Sequence, residues 1–495
     1  MSTTKKDPND AVKMTSGLDD QMQADLDEVM RKYDRESNTR VWEGWQRWVV
    51  GILMVAFSLY CIGMTLFFSG LPETRLAAFL AMIVFIGFLT YPVKKGHVKV
   101  NFMPWYDIVL MLVGTACFLY FAFNALPIIK LATRIQTHHV IIGAIGILVL
   151  IELCRRCVGV PILCVLGALL VYTFYNQLSY NPSLYQALKN VVYKLFYTTN
   201  GVIGTPINVC YTYIVLFIIF GAFLERTGIA NFFIAFANRL AGWSAGGPAK
   251  VAVISSALCG MVSGSSVGSV TIPMMKKTGY HPDFAGAVEA AASTGGQIMP
   301  PIMGAAAFLM AEYMDLPYAT VAVKAILPAV LYFTGIFIAV HLEAKKLGLK
   351  GLSKDEMPKW ADLGKKIYLL APLVLLVWLV SSGAKTMQFS AAVSILAAVI
   401  VGFLNKDERL TFKKIFEALE AGAKGAITVA VACAIAGMIA GCITVTGLAS
   451  ILINTIVQLA GSATFIGLIL TMVCCIVLGM GVPTTANYCI MASTC

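Results

Sequence analysis

Hydroxyl and glycine residues interrupt an apolar stretch of the chain where a membrane helix would normally carry Leu and Val. The interruption reads Ser263-Gly264-Ser265-Ser266, and apolar sequence precedes and follows it. Backbone groups that leave helical hydrogen bonding inside lipid are tolerated only where protein buries them or a cavity hydrates them. Free carbonyls and hydroxyls at such a break are hard oxygen ligands suited to Na⁺, and exposed helix N-termini favour carboxylates. The stretch therefore predicts a site for a sodium ion and a small organic anion.

A second copy of this pattern occurs 219 residues later in the chain. The matching pairs are Thr227-Gly228 with Thr446-Gly447, Gly260-Met261 with Gly479-Met480, and Ser265-Ser266 with Thr484-Thr485. Duplication with a helix break at corresponding positions is a sequence pointer to a transporter site. We interpret the pattern as an internal duplication in which each copy carries one broken helix pair.

Another break follows in the first copy. Thr294-Gly295-Gly296-Gln297 leads into Pro300-Pro301 within an apolar run. Two prolines remove two backbone donors, and the second disfavours the helical conformation of the first. The helix is therefore predicted to unwind inside the membrane. Its counterpart in the second copy would lie beyond Cys495, so we expect the second copy to be incomplete in this sequence.

Composition places the chain among membrane proteins. It is 58% hydrophobic and 13% charged, with a mean hydropathy of +0.79, whereas soluble domains carry about 25% charged residues. The net charge of +11 is spread over short loops between apolar runs, which is a topology signal and not a nucleic-acid-binding face. The 13 cysteines lie mostly inside apolar segments, which indicates small buried side chains and no disulfide framework or metal site.

Apolar runs long enough to be spans define the predicted architecture. They are 46–68, 76–92, 106–124, 139–153, 157–175, 206–224, 284–312, 319–341, 367–381, 387–404 and 424–443. The basic loops between them place the N-terminus in the cytoplasm. Residues 249–275 then leave the cytoplasm and return to it, as a re-entrant hairpin does, and a second hairpin from about 462 enters from the opposite side. The predicted fold is an all-α membrane protein, a multi-span helical bundle with inverted repeats, re-entrant hairpins and broken helices.

The predicted domains follow from these runs. Residues 1–45 are polar, lack the apolar core of a signal peptide, and are expected to form a cytoplasmic N-terminal tail. Residues 46–199 form a first group of membrane helices. Residues 200–495 form a transport domain, with a first repeat over about 206–341 and a second, incomplete repeat over about 424–495.

The sequence leaves open the roles of two further residues and one alternative chemical function. Glu289 is an acid inside an apolar helix, and such residues serve either a functional site or a packing network. Asn487 could bond the second hairpin tip or a substrate. The Gly264-Ser265-Ser266 stretch could also supply the nucleophile of an intramembrane serine hydrolase, which needs a nearby base. The five histidines all lie in loops or near span ends, so this reading is a remote alternative.

Three stretches carry a resemblance to a known family. They are Gly260 to Pro273, Gly279 to Pro301, and Gly479 to Tyr488. The chain resembles the membrane component of a tripartite ATP-independent periplasmic (TRAP) transporter. Within that family it resembles the branch that has fused small and large membrane subunits and a TAXI-type substrate-binding protein. The likeness is strong from about residue 200 onward and looser across 46–199, where the helices would correspond to the small subunit.

The resemblance implies a sodium-driven, elevator-type importer of carboxylates or dicarboxylates in a bacterial inner membrane, served by a periplasmic binding protein. It implies no enzymatic activity, no nucleic-acid partner and no cofactor beyond Na⁺ as coupling ion. The sodium ligands would be Ser263, Gly264, Ser265, Thr294, Gly295 and Gly296 at one site, and Gly479, Gly481 and Thr484 at a second. Residues expected to contact the substrate are Ser266, Gln297, Pro301, Thr485 and Asn487. A stand-alone ion-coupled carrier without a binding protein is the main alternative.

Overall fold

The computed structural model describes residues 39–67, 70–93, 100–180, 183–261, 268–349, 351, 357–383, 385–405, 408–448, 450–451, 458, 464–479 and 484–494. All regular secondary structure in these ranges is helical. The helices before residue 200 are α1 Gly44–Phe67, α2 Pro72–Thr90, α3 Trp105–Leu131, α4 Thr137–Cys157, α5 Val160–Tyr180 and α6 Leu184–Phe196.

Thirteen helices follow residue 200 in the described ranges. In order they are α7 Thr205–Arg226, α8 Ile229–Ala241, α9 Gly247–Gly260, α10 Gly268–Lys277, α11 Pro282–Gly295, α12 Ala305–Tyr313, α13 Tyr318–Lys346, α14 Trp360–Lys365, α15 Ala371–Ser382, α16 Met387–Leu404, α17 Phe412–Thr446, α18 Thr464–Gly479 and α19 Thr484–Thr494. Helix α7 contains a π-helical turn at Cys210–Ile214.

Eight helices in the described ranges are long and apolar enough to cross a membrane. They are α1, α2, α3, α5, α7, α13, α16 and α17. The prediction of an all-α, multi-span membrane protein is therefore confirmed. The predicted run at 284–312 is not one helix, because α11 ends at Gly295 and α12 begins only at Ala305.

Helix α17 is the centre of the bundle. It has 35 residues, and 89% of its most apolar 18-residue stretch is buried inside the protein. Small residues make this burial possible because they let neighbouring backbone approach closely. A Cβ atom on Gly441 would lie 2.0 Å from the Asn200 carbonyl oxygen, and one on Gly437 would lie 2.5 Å from that of Gly201. The turn that precedes α7 therefore rests directly on the backbone of α17.

A buried ionic cluster joins the N-terminal segment to α3 and α4. Asp107 is fully buried and pairs with both Arg40 and Arg156, the latter at 2.8 Å. Glu152 accepts hydrogen bonds from Arg156 and from Arg155, each at 2.8 Å. Removing one member of a buried pair leaves an uncompensated charge, which is strongly destabilising. The cluster therefore fixes the residues that lead into α1 against the α3–α4 pair.

Helices α9 and α10 form a packed pair, and both also contact α11. They have 14 and 10 residues, or lengths of about 21 and 15 Å, whereas a bilayer core is about 30 Å thick. Helix α9 ends at Gly260 with Met261 as its C-terminal cap, so the first helix of residues 249–275 stops within that stretch, and residues 262–267 lie outside the described part of the chain. The re-entrant path of this pair stays a prediction.

A special backbone conformation recurs at the offset of the sequence duplication. Gly228 and Gly447 both take the left-handed conformation, with φ of +81° and +69°, which favours glycine because it has no Cβ. This correspondence supports the duplication, while the repeat and domain boundaries stay predictions.

Candidate functional site

The double-proline segment forms a loop between α11 and α12. Helix α11 passes into a single 3₁₀ turn at Gly296–Ile298, and the Gly304 N–H then donates to the Gln297 carbonyl at 2.7 Å. The Tyr318 hydroxyl from α13 donates to the carbonyls of Pro301, at 3.0 Å, and Ile302. The predicted helix break at this segment is thus present, and a tyrosine hydroxyl holds its freed carbonyl groups.

The end of α9 touches the end of α11 through two glycines. A Cβ atom on Gly296 would lie 2.5 Å from the Cα atom of Gly260, and a Cβ on Gly260 would lie 2.6 Å from the Cα of Gly296. Real Cβ contacts do not occur at such distances, so both positions require glycine. The contact joins the first arm of the helix pair to the break in α11, which is where the sequence placed a sodium ligand.

The two residues before Gly296 differ in exposure. Gly295 is buried, and a Cβ on it would lie 2.4 Å from the Tyr332 ring. Thr294 is exposed, and its hydroxyl donates to the Ala290 carbonyl of its own helix at 2.8 Å. The Thr294 oxygen retains lone pairs after this bond, and its role as a sodium ligand stays a prediction.

Residues from the two predicted copies meet at one hydrogen bond. The Thr484 hydroxyl donates to the side-chain oxygen Oε1 of Gln297 at 2.9 Å, across 187 positions of sequence. Gln297 lies in the break after α11, and Thr484 is the first residue of α19. Both side chains are exposed. The structure therefore brings together one predicted substrate contact and one predicted sodium ligand.

Asn487 packs against the end of α18. Its Nδ2 donates to the Cys475 carbonyl at 3.4 Å, and a Cβ on Gly479 would lie 3.3 Å from the same nitrogen. The Asn487 Oδ1 atom is buried and has no hydrogen-bond partner in the described part of the chain. Buried acceptors are rarely left unpaired, and a bound ion is one explanation for such an atom.

Two other predicted substrate contacts, Thr485 and Pro301, also fall within the described residues. Thr485 is buried. Pro301 lines an apolar cavity of about 170 Å³ together with Phe217, Tyr318 and Leu376, a lining that lacks charged groups to hold an anion. The predicted ligands Ser263, Gly264, Ser265 and Gly481, and the predicted substrate contact Ser266, lie outside the described residues.

Sequence reasoning missed three residues that shape this region. Gly260 was visible as part of the duplicated Gly-Met pair, and its role as the contact partner of Gly296 could have been suspected from that signal. Tyr318 gave no signal, because a tyrosine near a span end also serves as an interfacial anchor. Tyr332 lies in the middle of the predicted span 319–341, where no pattern in the sequence marked it. The Tyr332 hydroxyl donates to the Ala291 carbonyl at 2.9 Å and thereby holds the last turn of α11.

Apolar helices that cross a membrane, together with short paired helices and a broken helix, define a polytopic membrane protein of the transporter class. Residues 145–495 match the family model described as "Tripartite ATP-independent periplasmic transporter, DctM component". This match covers well over half of the chain, and the chain therefore belongs to that family. The family prediction is confirmed, whereas the subunit fusion and the TAXI branch stay predictions.

Individual relatives agree with the family. The chain is 28% identical over 203 residues to the C4-dicarboxylate TRAP transporter large permease protein DctM of Pseudomonas aeruginosa, covering 39% of this chain and 47% of that protein. It is 25% identical over 193 residues to the sialic acid TRAP transporter large permease protein SiaM of Vibrio cholerae, covering 38% and 45%. It is 24% identical over 360 residues to the sialic acid TRAP transporter permease protein SiaT of Haemophilus influenzae, covering 70% and 54%.

The chain thus spans about half the length of the curated relatives it matches. Family membership makes it a transporter component and not an enzyme, so the intramembrane hydrolase alternative is wrong. Membership and the eight apolar helices also make it a multi-pass inner-membrane protein. The side of the membrane on which its N-terminus lies stays a prediction.

Proposed function

We propose that the chain is the membrane component of a sodium-coupled importer of small organic anions, to which a periplasmic TAXI-type protein delivers the substrate. The observation that carries the proposal is the hydrogen bond between Thr484 and Gln297. It joins the helix break of the first predicted copy to the helix start of the second. Opposed broken helices near one depth are the arrangement on which alternating-access carriers build their sites.

The helix ends at this junction suit a cation and an anion together. The last carbonyls of α11 carry partial negative charge close to Gly296, which favours Na⁺, whereas the first N–H groups of α19 at Thr484 carry partial positive charge, which favours a carboxylate. The hydroxyl of Thr484 and the amide of Gln297 add exposed polar groups between these two ends. We therefore assign the substrate to this junction, with Na⁺ on the Gly296 side.

A second sodium position is supported by Asn487. Its buried Oδ1 atom lacks a hydrogen-bond partner among the described residues, and an amide oxygen is a hard ligand of the type Na⁺ accepts. Gly479, at the carbonyl end of α18, lies against the same side chain. The pair would hold the second coupling ion in the copy that carries Thr484.

The relatives support organic acids as the substrate class. Their names give C4-dicarboxylates for one and sialic acid for two others, and both are carboxylic acids. We propose carboxylates, including dicarboxylates, as the substrates of this chain. We also propose that residues 46–199 act as the small subunit, and that the N-terminus is cytoplasmic because the basic loops then face inward.

Uptake by the full-length protein in proteoliposomes tests the proposal. Radiolabelled C4-dicarboxylates and a panel of other carboxylates are offered together with the cognate binding protein, under an inward Na⁺ gradient or with K⁺ replacing Na⁺. The proposal predicts uptake that requires both Na⁺ and the binding protein. Uptake without the binding protein would favour the stand-alone carrier, and uptake indifferent to Na⁺ would overturn sodium coupling.

A further inference from the structure

Glu289 lies at the junction of three helices. Only 3% of this residue is exposed, and it lies on the side of α11 that faces the α9–α10 pair. The Ser256 hydroxyl of α9 donates to its Oε1 atom at 2.6 Å, and the Thr271 hydroxyl of α10 donates to its Oε2 atom at 2.5 Å. One carboxylate therefore accepts a hydrogen bond from each arm of the helix pair through a different oxygen.

Burying a carboxylate at this position is unfavourable in free energy. Acids inside a membrane protein carry a large desolvation cost, and apolar side chains of similar volume often pack equally well. None of the ion pairs formed by the described residues includes Glu289. Both hydroxyl contacts have the 2.5–2.7 Å lengths typical of O–H···O⁻ bonds. Among the described residues, these two hydroxyls therefore stabilise the carboxylate, and each belongs to a different helix.

The three-helix junction is mechanically connected to the glycine contact. Ser256 lies one helical turn before Gly260 on α9, and Glu289 lies two turns before Gly296 on α11. At 1.5 Å per residue these separations are about 6 and 10 Å. Helical segments of one or two turns move as stiff units, so a shift at the carboxylate also shifts the place where Gly260 meets Gly296.

We propose that Glu289 is a positioning residue for the sodium site, and that it acts by holding both arms of the α9–α10 pair against α11. Its backbone lies about 10 Å along the chain from Gly296, and we assign it an action through the two helices and not direct contact with Na⁺. The inference rests on the proposed function, because it assigns Na⁺ to the Gly296 side of the junction. It adds the group that fixes the geometry of that site.

Two matched pairs of variants test the inference in the full-length protein. Thr271→Val removes the hydroxyl at nearly constant volume, whereas Thr271→Ser keeps it. Ser256→Ala removes the second donor, and Ser255→Ala is its control, since Ser255 is equally buried but donates only to the carbonyls of Val251 and Ala252 in its own helix. A hydrogen bond to a charged group corresponds to about a tenfold change in an equilibrium constant.

The measured quantity is the Na⁺ concentration that gives half-maximal uptake, together with the maximal rate per folded transporter. We expect Thr271→Val and Ser256→Ala to raise the half-saturating Na⁺ about tenfold, and Thr271→Ser and Ser255→Ala to stay within about twofold of wild type. A purely structural role would lower yield or maximal rate in Thr271→Val and Ser256→Ala without this shift in half-saturating Na⁺.

A second readout covers variants that transport poorly. The Na⁺-induced rise in melting temperature of the purified protein is measured for wild type, Ser256→Ala, Ser255→Ala and Glu289→Gln, with K⁺ as the reference ion. Equal sodium response in Ser256→Ala and Ser255→Ala would overturn the inference. A wild-type protein without any sodium response would instead overturn the proposed function, so the two failures are distinguishable.

Discussion

Gly296→Ala perturbs the closest backbone contact at the proposed sodium site. The new Cβ would lie 2.5 Å from the Gly260 Cα atom and 3.0 Å from its carbonyl carbon, whereas carbon atoms pack at about 3.5–4.0 Å. The backbones of α9 and α11 must therefore separate by about 1 Å. Because the obstructing atoms belong to the main chain, no side-chain rotation relieves the overlap. Overpacking of this kind costs about 1–3 kcal/mol of unfolding free energy.

The same helix supplies a matched control. Gly286 lies on α11, and a Cβ there would meet nothing within 4 Å. Alanine is favoured over glycine in a helix by about 0.5–1 kcal/mol, so Gly286→Ala should be neutral or slightly stabilising. The free energies of unfolding of the two variants should therefore differ by about 1.5–4 kcal/mol. Gly295→Ala is a weaker probe, because its Cβ would meet the Tyr332 side chain, which can move.

Thermal unfolding and sodium-dependent uptake measure the two consequences. At about 2–4 °C per kcal/mol for a domain of 150–250 residues, the Gly296→Ala protein should melt several degrees below Gly286→Ala. Separation of the two helix ends should also raise its half-saturating Na⁺, while the control keeps the wild-type value. Equal melting temperatures and equal sodium dependence in the two variants would refute the reasoning from the Gly260–Gly296 contact.

Two further variants with their controls, and one ion replacement, have expected outcomes. Asp107→Asn leaves Arg156 without its buried counter-charge and should lower the free energy of unfolding by about 3–5 kcal/mol. The loss should appear as a smaller peak of folded protein on size-exclusion chromatography. Glu152→Gln affects a half-buried pair and should lower the free energy of unfolding clearly less. Gly441→Ala should abolish folding, because its Cβ would lie 2.0 Å from a backbone oxygen, while Gly335→Ala meets nothing within 4 Å and should fold normally. Replacing Na⁺ by K⁺ on both sides of the vesicle membrane should abolish accumulation of substrate; unchanged accumulation would exclude sodium as the coupling ion.

Local rules made part of this structure predictable. The break after Gly295 followed from two adjacent prolines, whose effect on the backbone acts within a few residues. The end of α9 at Gly260 followed from glycines and hydroxyls in an apolar run. The left-handed conformations of Gly228 and Gly447 lie within the repeated Thr-Gly pairs. Each of these features depends on a short stretch of chain.

Long-range contacts could not be predicted in the same way. The bond between Thr484 and Gln297 joins positions 187 residues apart, and helical periodicity says nothing about which helix ends meet. Glu289 illustrates the same limit: the sequence left a functional and a packing role open, and only the packing of α9 and α10 supplies Ser256 and Thr271 as its donors.

A double-mutant cycle on Gln297 and Thr484 tests most directly whether the two predicted copies share one site. The half-saturating Na⁺ and substrate concentrations are measured for wild type, Gln297→Leu, Thr484→Val and the double variant. A direct hydrogen bond predicts a coupling free energy of about 0.5–1 kcal/mol, so the double variant should be less impaired than the product of the single effects. Single effects that multiply without coupling, or that leave both concentrations unchanged, would contradict a shared site at this junction.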